Sequence, residues 1–324
     1  MIINKKDSFL NIPLYAFLQA ALLLFVFIIS IFLGDLYNGG DQIVYQRAYN
    51  GISSLNLSKA YLFYTYNIYS VEVIHFLIIW IASHLGINKI IFMAVCNTFL
   101  ASLIIKIFNA LKVNLLITSL FILTNFYLYV LFFAAERLKF GFIFFLIAIL
   151  YKGTFFYKTP LFILSILSHL QMIILYSGKI FDIFLAELRR LITNFELRWS
   201  LFFILPFIFI SFLFIQNDLL MKIVAYSDSR GLSDFLRISL FLIMALYYSS
   251  SKLKTLVYFV PLFIAVYFVG GDRVNMIGYI YFLYSALQYR NGFNLGVLAT
   301  TLYFLYININ FVKNIILYGN GFHS

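Results

Sequence analysis

The sequence predicts an all-α, polytopic integral membrane protein, and three observations carry that reading. Of 324 residues, 64% are hydrophobic and only 11% are charged. That is too few charges to cover the water-facing shell of a soluble domain of this length. The mean hydropathy is +0.97. Several apolar runs reach the roughly 20 residues with which a helix crosses about 30 Å of hydrocarbon. They are unbroken rather than alternating, which fits helices and not the strands of an outer-membrane barrel. The expectation is one transmembrane domain over residues 1–324. It would hold about 9–11 transmembrane helices, two re-entrant or half-spanning helices and one cytoplasmic interfacial amphipathic helix.

The elements follow in order. Lys5 and Lys6 precede an apolar run of signal-anchor length with no small-residue cleavage site. This run reads as a retained first span, 14–33, with a cytoplasmic N-terminus. An outer loop, 34–70, comes next. Further spans are expected at 88–106, 113–133, 139–151, 200–216, 236–250, 255–269, 274–289 and 293–310. Two runs differ from these: 71–86 is short, and 159–177 carries His169 and Gln171 in its middle. As half-spans that return to the side they entered from, both keep the following lysines and arginines cytoplasmic. The resulting excess of basic residues inside is mild but in the direction the positive-inside rule requires. Re-entrant backbone is tolerated only where protein or a watery cavity buries it, so a cavity is implied. In 180–198, Phe181, Phe184, Leu185, Leu188, Leu191, Ile192 and Phe195 share one helical face, and Asp182, Glu187, Arg189 and Arg190 lie on the other. That pattern predicts the interfacial helix. A second outer loop, 217–235, holds Asp228, Arg230, Gly231 and Asp234 and is of the kind that folds over a ligand.

Composition also excludes. The net charge of +11 is placed mostly at helix ends, where basic residues anchor to lipid headgroups, so nucleic acid is not an expected partner. Cys96 is the single cysteine, which removes disulfide frameworks and thiolate clusters. The chain has no phosphate-binding glycine loop, zinc motif or nucleophile elbow, and no Asp-x-Asp to hold a metal-bound nucleotide sugar. Neither a metal nor another cofactor is expected.

Ionisable side chains at membrane depth cost about 2.5–3.5 kcal/mol even on lenient scales, so those that do not cap helices are the candidates for function. In the first outer loop Asp41, Tyr45 and Tyr49 recur every four residues and stack on one helix face. Asp41 either N-caps a helix after a Gly-Gly turn or joins an acidic, aromatic face turned to a polar ligand, with Arg47 in the same segment as an anion contact. Tyr61, Tyr64, Tyr66 and Tyr69 read as an interfacial belt before a sugar platform. Glu72 opens the short segment, favouring a helix N-terminus through the macrodipole or facing the cavity mouth. Glu136, Arg137 and Lys139 suggest a helix that enters the cavity charged end first. Arg137 either grips an anion bidentately, pairs with Glu136 or snorkels to headgroups. His169 is flanked by Ser165, Ser168 and Gln171, a setting for a base or a substrate hydrogen-bonder. His75 and His84, nine residues apart on opposite faces, read as structural. Gly270-Gly271-Asp272-Arg273 repeats the earlier Gly-Gly-Asp, and Arg273 needs an anionic partner, either Asp272 or an external phosphate.

These residues together resemble a family, the EpsG-like, Wzy-type polysaccharide polymerases of bacterial inner membranes. The resemblance rests on Gly40-Asp41-x-x-x-Tyr45-x-x-x-Tyr49 after the first span, Glu72 opening a short helix, and Arg137 before a span. It continues with Ser168-His169 closing a half-helix and Arg273 opening a late span. The chain departs from the family pattern at Leu138-Lys139 after the arginine and at Leu170-Gln171 after the histidine. The resemblance implies transfer of a growing glycan from an undecaprenyl diphosphate carrier to the sugar of an incoming lipid-linked repeat unit. The products would be O-antigen, capsule or exopolysaccharide. It implies Arg137, Arg273 and Arg230 on the diphosphate, His169, Glu72 or Asp41 as base, and Arg47, Tyr45 and Tyr49 on the substrate. Membrane lipid and a chain-length regulator protein are the further partners it implies. The rival readings are an O-antigen ligase, a membrane O-acyltransferase, and a non-enzymatic transporter or flippase of lipid-linked sugars.

Overall fold

The computed structural model describes residues 8–194 and 232–322. Among these residues the regular structure is entirely helical, as the apolar runs predict. The helices are α1 (Ser8–Leu36), α2 (Asp41–Ile52), α3 (Leu57–Ile68), α4 (Val73–His84), α5 (Lys89–Ala110), α6 (Leu115–Thr124), α7 (Phe126–Phe133), α8 (Glu136–Leu150) and α9 (Phe155–Ser168). They continue with α10 (Met172–Asn194), α11 (Leu232–Tyr248), α12 (Lys252–Val269), α13 (Gly271–Ala286) and α14 (Leu295–Tyr318). The chain divides into two compact units, Met1–His169 with Leu298–Ser324 and Leu170–Val297.

Within the first unit α1 packs along α5, α2 covers α3 and α4, and α8 lies between α5 and α9. The paired faces are apolar: Val26, Leu33, Ala94, Leu100 and Ala101 are almost wholly buried. In the second unit α10 packs on α12, and α11 lies on α13 and α12.

Among the described residues three stretches are long and apolar enough to cross a bilayer: Leu14–Leu36, Lys89–Ala110 and Tyr289–Tyr318. The number rises to five if two bent pairs each count as one span. The expected spans at 139–151, 236–250 and 274–289 become helices of 15, 17 and 16 residues, short of the roughly 20 needed alone. The expected span at 200–216 lies outside the described residues.

Four further expectations change. The run 113–133 is not one helix but α6 and α7, bent by 52°, because Asn125 ends the first and its Oδ1 accepts from the amide of Leu128 at 3.0 Å to start the second. The outer loop 34–70 is largely helical, as α2 and α3; its polar composition hid helices whose faces are buried by neighbours. Residues 180–194 of the amphipathic stretch belong to a continuous helix that begins at Met172, the rest of it lies outside the described residues, and its Glu187, expected on the water face, is buried. Of the second outer loop, Asp234 is helical in α11, whereas Asp228 and Arg230 lie outside the described residues.

The two Gly-Gly-Asp turns do break helices as expected. Gly40 (φ 54) precedes α2 and Gly270 (φ 87) precedes α13, both in the left-handed region that favours glycine. Asp41 is not the cap, however. Gly40 holds the N-cap position, without a side-chain cap hydrogen bond, and Asp41 is the first helical residue.

Candidate functional site

The short segment before α4 positions the first member of the site. α3 ends at Tyr69, a non-glycine residue with φ 52, and the chain turns by 115° into α4. Strained backbone of this kind concentrates where a structure holds something in place. Glu72 sits at the N-cap of α4, yet its carboxylate makes no cap hydrogen bond. It is turned inward instead, and Ser70 Oγ donates to Glu72 Oε2 at 2.8 Å.

The second member comes from α8. This helix begins at its charged end, with Glu136 and Arg137 in its first turn. The two do not pair with each other. Arg137 Nη1 donates to Glu72 Oε2 at 2.8 Å across 65 residues of sequence, and Arg137 Nε donates to the Tyr45 hydroxyl at 3.1 Å. Glu136 pairs with Lys89 Nζ at 2.9 Å.

The third member is His169. α9 stops at Ser168, and His169 takes an extended conformation as its C-cap (φ −161, ψ 119), so the break expected at this histidine is present. Ser165 Oγ donates to Gly141 O at 2.8 Å and ties α9 to α8. The imidazole Nδ1 then meets Glu72 Oε1 in a short hydrogen bond. One carboxylate therefore holds a guanidinium on one oxygen and an imidazole on the other. Only 5% of the Glu72 side chain and 6% of the His169 side chain are exposed, against 21% for Arg137. If Nδ1–H donates to the carboxylate, Nε2 is the basic ring nitrogen.

Tyr45 joins this cluster to a second one. Its hydroxyl receives Arg137, and Lys89 Nζ stands 5.7 Å from its ring centroid. Lys89 also donates to Gln42 Oε1 at 2.9 Å. Gln42 Nε2 in turn donates to Phe133 O at 2.6 Å, securing a carbonyl at the end of α7. Lys139 is fully buried and donates to Phe132 O at 2.9 Å. Beside the Lys89–Glu136 pair lies a cavity of about 510 Å³.

The structure thus brings Glu72, Arg137, His169 and Tyr45 together, and it places Arg47 on the cavity wall. Tyr49 is buried, and its hydroxyl donates to Ile87 O at 2.9 Å, a strut between α2 and the start of α5. Asp41 is exposed. Arg273 belongs to the second unit, where it is exposed and its Nη1 donates to Gln171 Oε1 at 3.4 Å. Arg230 lies outside the described residues. The histidines read as structural behave so: His75 Nδ1 shares a hydrogen bond of 2.9 Å with the Tyr64 hydroxyl, and His84 Nδ1 lies 3.0 Å from Ser53 O. Of the tyrosine belt, Tyr66 and Tyr69 are exposed, while Tyr64 is buried.

Sequence reasoning passed over Lys89 and Gln42. Lys89 looks like a helix-end lysine reaching for headgroups; the signal against that was its place in the first turn of α5, where the macrodipole disfavours a cation. No family model matches the chain, and neither does any curated protein or solved structure.

Proposed function

We propose that this chain is a membrane glycosyltransferase that moves a glycan from a lipid diphosphate carrier to an incoming lipid-linked sugar, as a polysaccharide polymerase of bacterial inner membranes. One observation carries the reading. Two of the residues on which the family resemblance rests, Arg137 and His169, lie 65 and 97 positions from a third, Glu72, and converge on its buried carboxylate.

The cluster has the groups that such a transfer needs. The acceptor hydroxyl loses its proton to His169 Nε2 while Glu72 holds the ring through Nδ1 and stabilises the imidazolium that forms. The acceptor oxygen bonds to the anomeric carbon as the bond from that carbon to the diphosphate oxygen breaks. The diphosphate leaves carrying the electron pair. Before the step Glu72 and Arg137 cancel. After it the cluster carries one net positive charge, which offsets the charge developing on the leaving group. Tyr45 and Glu72 fix the guanidinium beforehand, so little reorganisation is required during the reaction.

The test is a deletion strain examined for surface glycan by gel. A polymerase loss leaves a single repeat unit attached to the surface, a ligase loss leaves none, and a flippase loss traps units inside. Complementation with Arg137→Ala is expected to keep the single-unit pattern. A normal ladder on deletion would sink the proposal. The cytoplasmic placement of the loop after α5 has its own check: a cysteine introduced at position 112 should resist labelling from outside.

A further inference from the structure

The cavity beside the Lys89–Glu136 pair is not accounted for by the reacting cluster. Its volume of about 510 Å³ falls within the range of small-molecule sites. Its wall carries two cations, Lys89 and Arg47, and two anions, Glu136 and Asp35. Lys89 is already satisfied by Glu136 and Gln42, so the wall offers a ligand no excess of positive charge. A diphosphate site would need one.

What the wall does offer is carboxamides. Asn38, Gln46, Asn50 and Asn97 all line it, and each amide both donates and accepts, as a hydroxyl does. Asn97 is 1% exposed; its Nδ2 donates to Ser30 Oγ at 3.1 Å. Its Oδ1 is buried and has no hydrogen-bond partner among the described residues. A buried acceptor left unmet is costly and calls for a donor. Phe132, Phe133 and Ile43 supply an apolar side of the kind that packs on the C–H face of a sugar ring. A lipid tail would meet the amides at a desolvation cost.

We infer that this cavity binds an uncharged sugar ring of the acceptor, and that Gln46, Asn50 and Asn97 set the preference for neutral over acidic sugars. The inference rests on the transferase reading. The link between the two sites is Tyr45, whose ring lies by Lys89 and whose hydroxyl holds Arg137.

The experiment is saturation-transfer difference NMR on the whole protein in nanodiscs. The probes are methyl glycosides of glucose, galactose, mannose and N-acetylglucosamine, with methyl glucuronide as the acidic comparison and inorganic diphosphate as competitor. At least one neutral glycoside should give a signal that diphosphate does not displace and that exceeds the glucuronide's. Gln46→Ala and Asn50→Ala lie on the exposed side of α2 and spare the fold, and each should weaken binding about fivefold per hydrogen bond lost. Asn97→Leu should do the same or more. Absence of signal from every neutral glycoside, an unchanged signal in the Gln46 and Asn50 variants, or displacement by diphosphate would overturn the inference. The signal is read without turnover, so its failure is distinguishable from failure of the transferase reading, which the glycan ladder reports.

Discussion

The charges of the two units are arranged by different rules. Among the described residues of the second unit the ion pairs are local or exposed. Lys179 and Asp182 stand 3.4 Å apart one helical turn from each other, Arg237 and Asp234 stand 3.9 Å apart in the same relation, and Lys254 reaches Asp182 at 3.9 Å. Such pairs contribute about 0–1 kcal/mol because solvent screens them and long side chains must be held still. In the first unit Lys89–Glu136 and Arg137–Glu72 are long-range; the first pair is almost dry, and in the second Glu72 is buried while Arg137 stays partly exposed. Buried pairs of this sort do not add stability over an apolar core, but removing one partner strands a charge. Two of them stand side by side in the first unit, on neighbouring residues of α8. That difference makes the first unit the place to test the proposed chemistry.

The largest expected effect is on activity: His169→Ala should lower glycan transfer about 10²–10⁴-fold, the usual loss for a general base. The substitution should also destabilise by at least about 1.5–3 kcal/mol, since the hydrogen bond from the buried imidazole to Glu72 is lost, so activity is compared at equal folded amounts. Next come the stranded charges. Arg137→Met and Lys89→Met should each destabilise by about 3–5 kcal/mol in thermal or denaturant unfolding. Adding Glu136→Gln to Lys89→Met should recover most of that loss, a non-additivity that only a direct pair produces. Ser70→Ala removes one hydrogen bond to the carboxylate and should cost about 1.5–3 kcal/mol. Asp182→Ala, in the second unit, should stay within about 1 kcal/mol. If Asp182→Ala cost as much as Lys89→Met, the contrast between the units would not hold.

How far the sequence alone reaches can be argued from the same residues. Apolar runs reveal helices because their hydrophobicity is unbroken, where the strands of a barrel would alternate, and the break at His169 is visible as polar residues inside an apolar run. The period of four puts Asp41, Tyr45 and Tyr49 on one helix face, but it does not say that the two tyrosines are buried and that Asp41, at the start of the helix, is exposed. Partners at long range leave no such trace. Nothing local to Glu72 says that its carboxylate turns from its own helix to Arg137, and nothing near Glu136 says that Lys89 rather than Arg137 will neutralise it. The bend at Asn125 was legible in principle, since asparagine inside an apolar run is a helix-starting residue. The length of the run argued for a single span instead.

The central claim is that Glu72, Arg137 and His169 form a reacting centre rather than a structural clasp. The most direct measurement is polymerisation by the purified protein in nanodiscs, supplied with lipid diphosphate-linked repeat units, for wild type and His169→Ala at equal folded amounts. A reacting centre predicts that wild type builds a ladder and the variant leaves the units unjoined. A variant that folds normally and extends the ladder at the wild-type rate would contradict it.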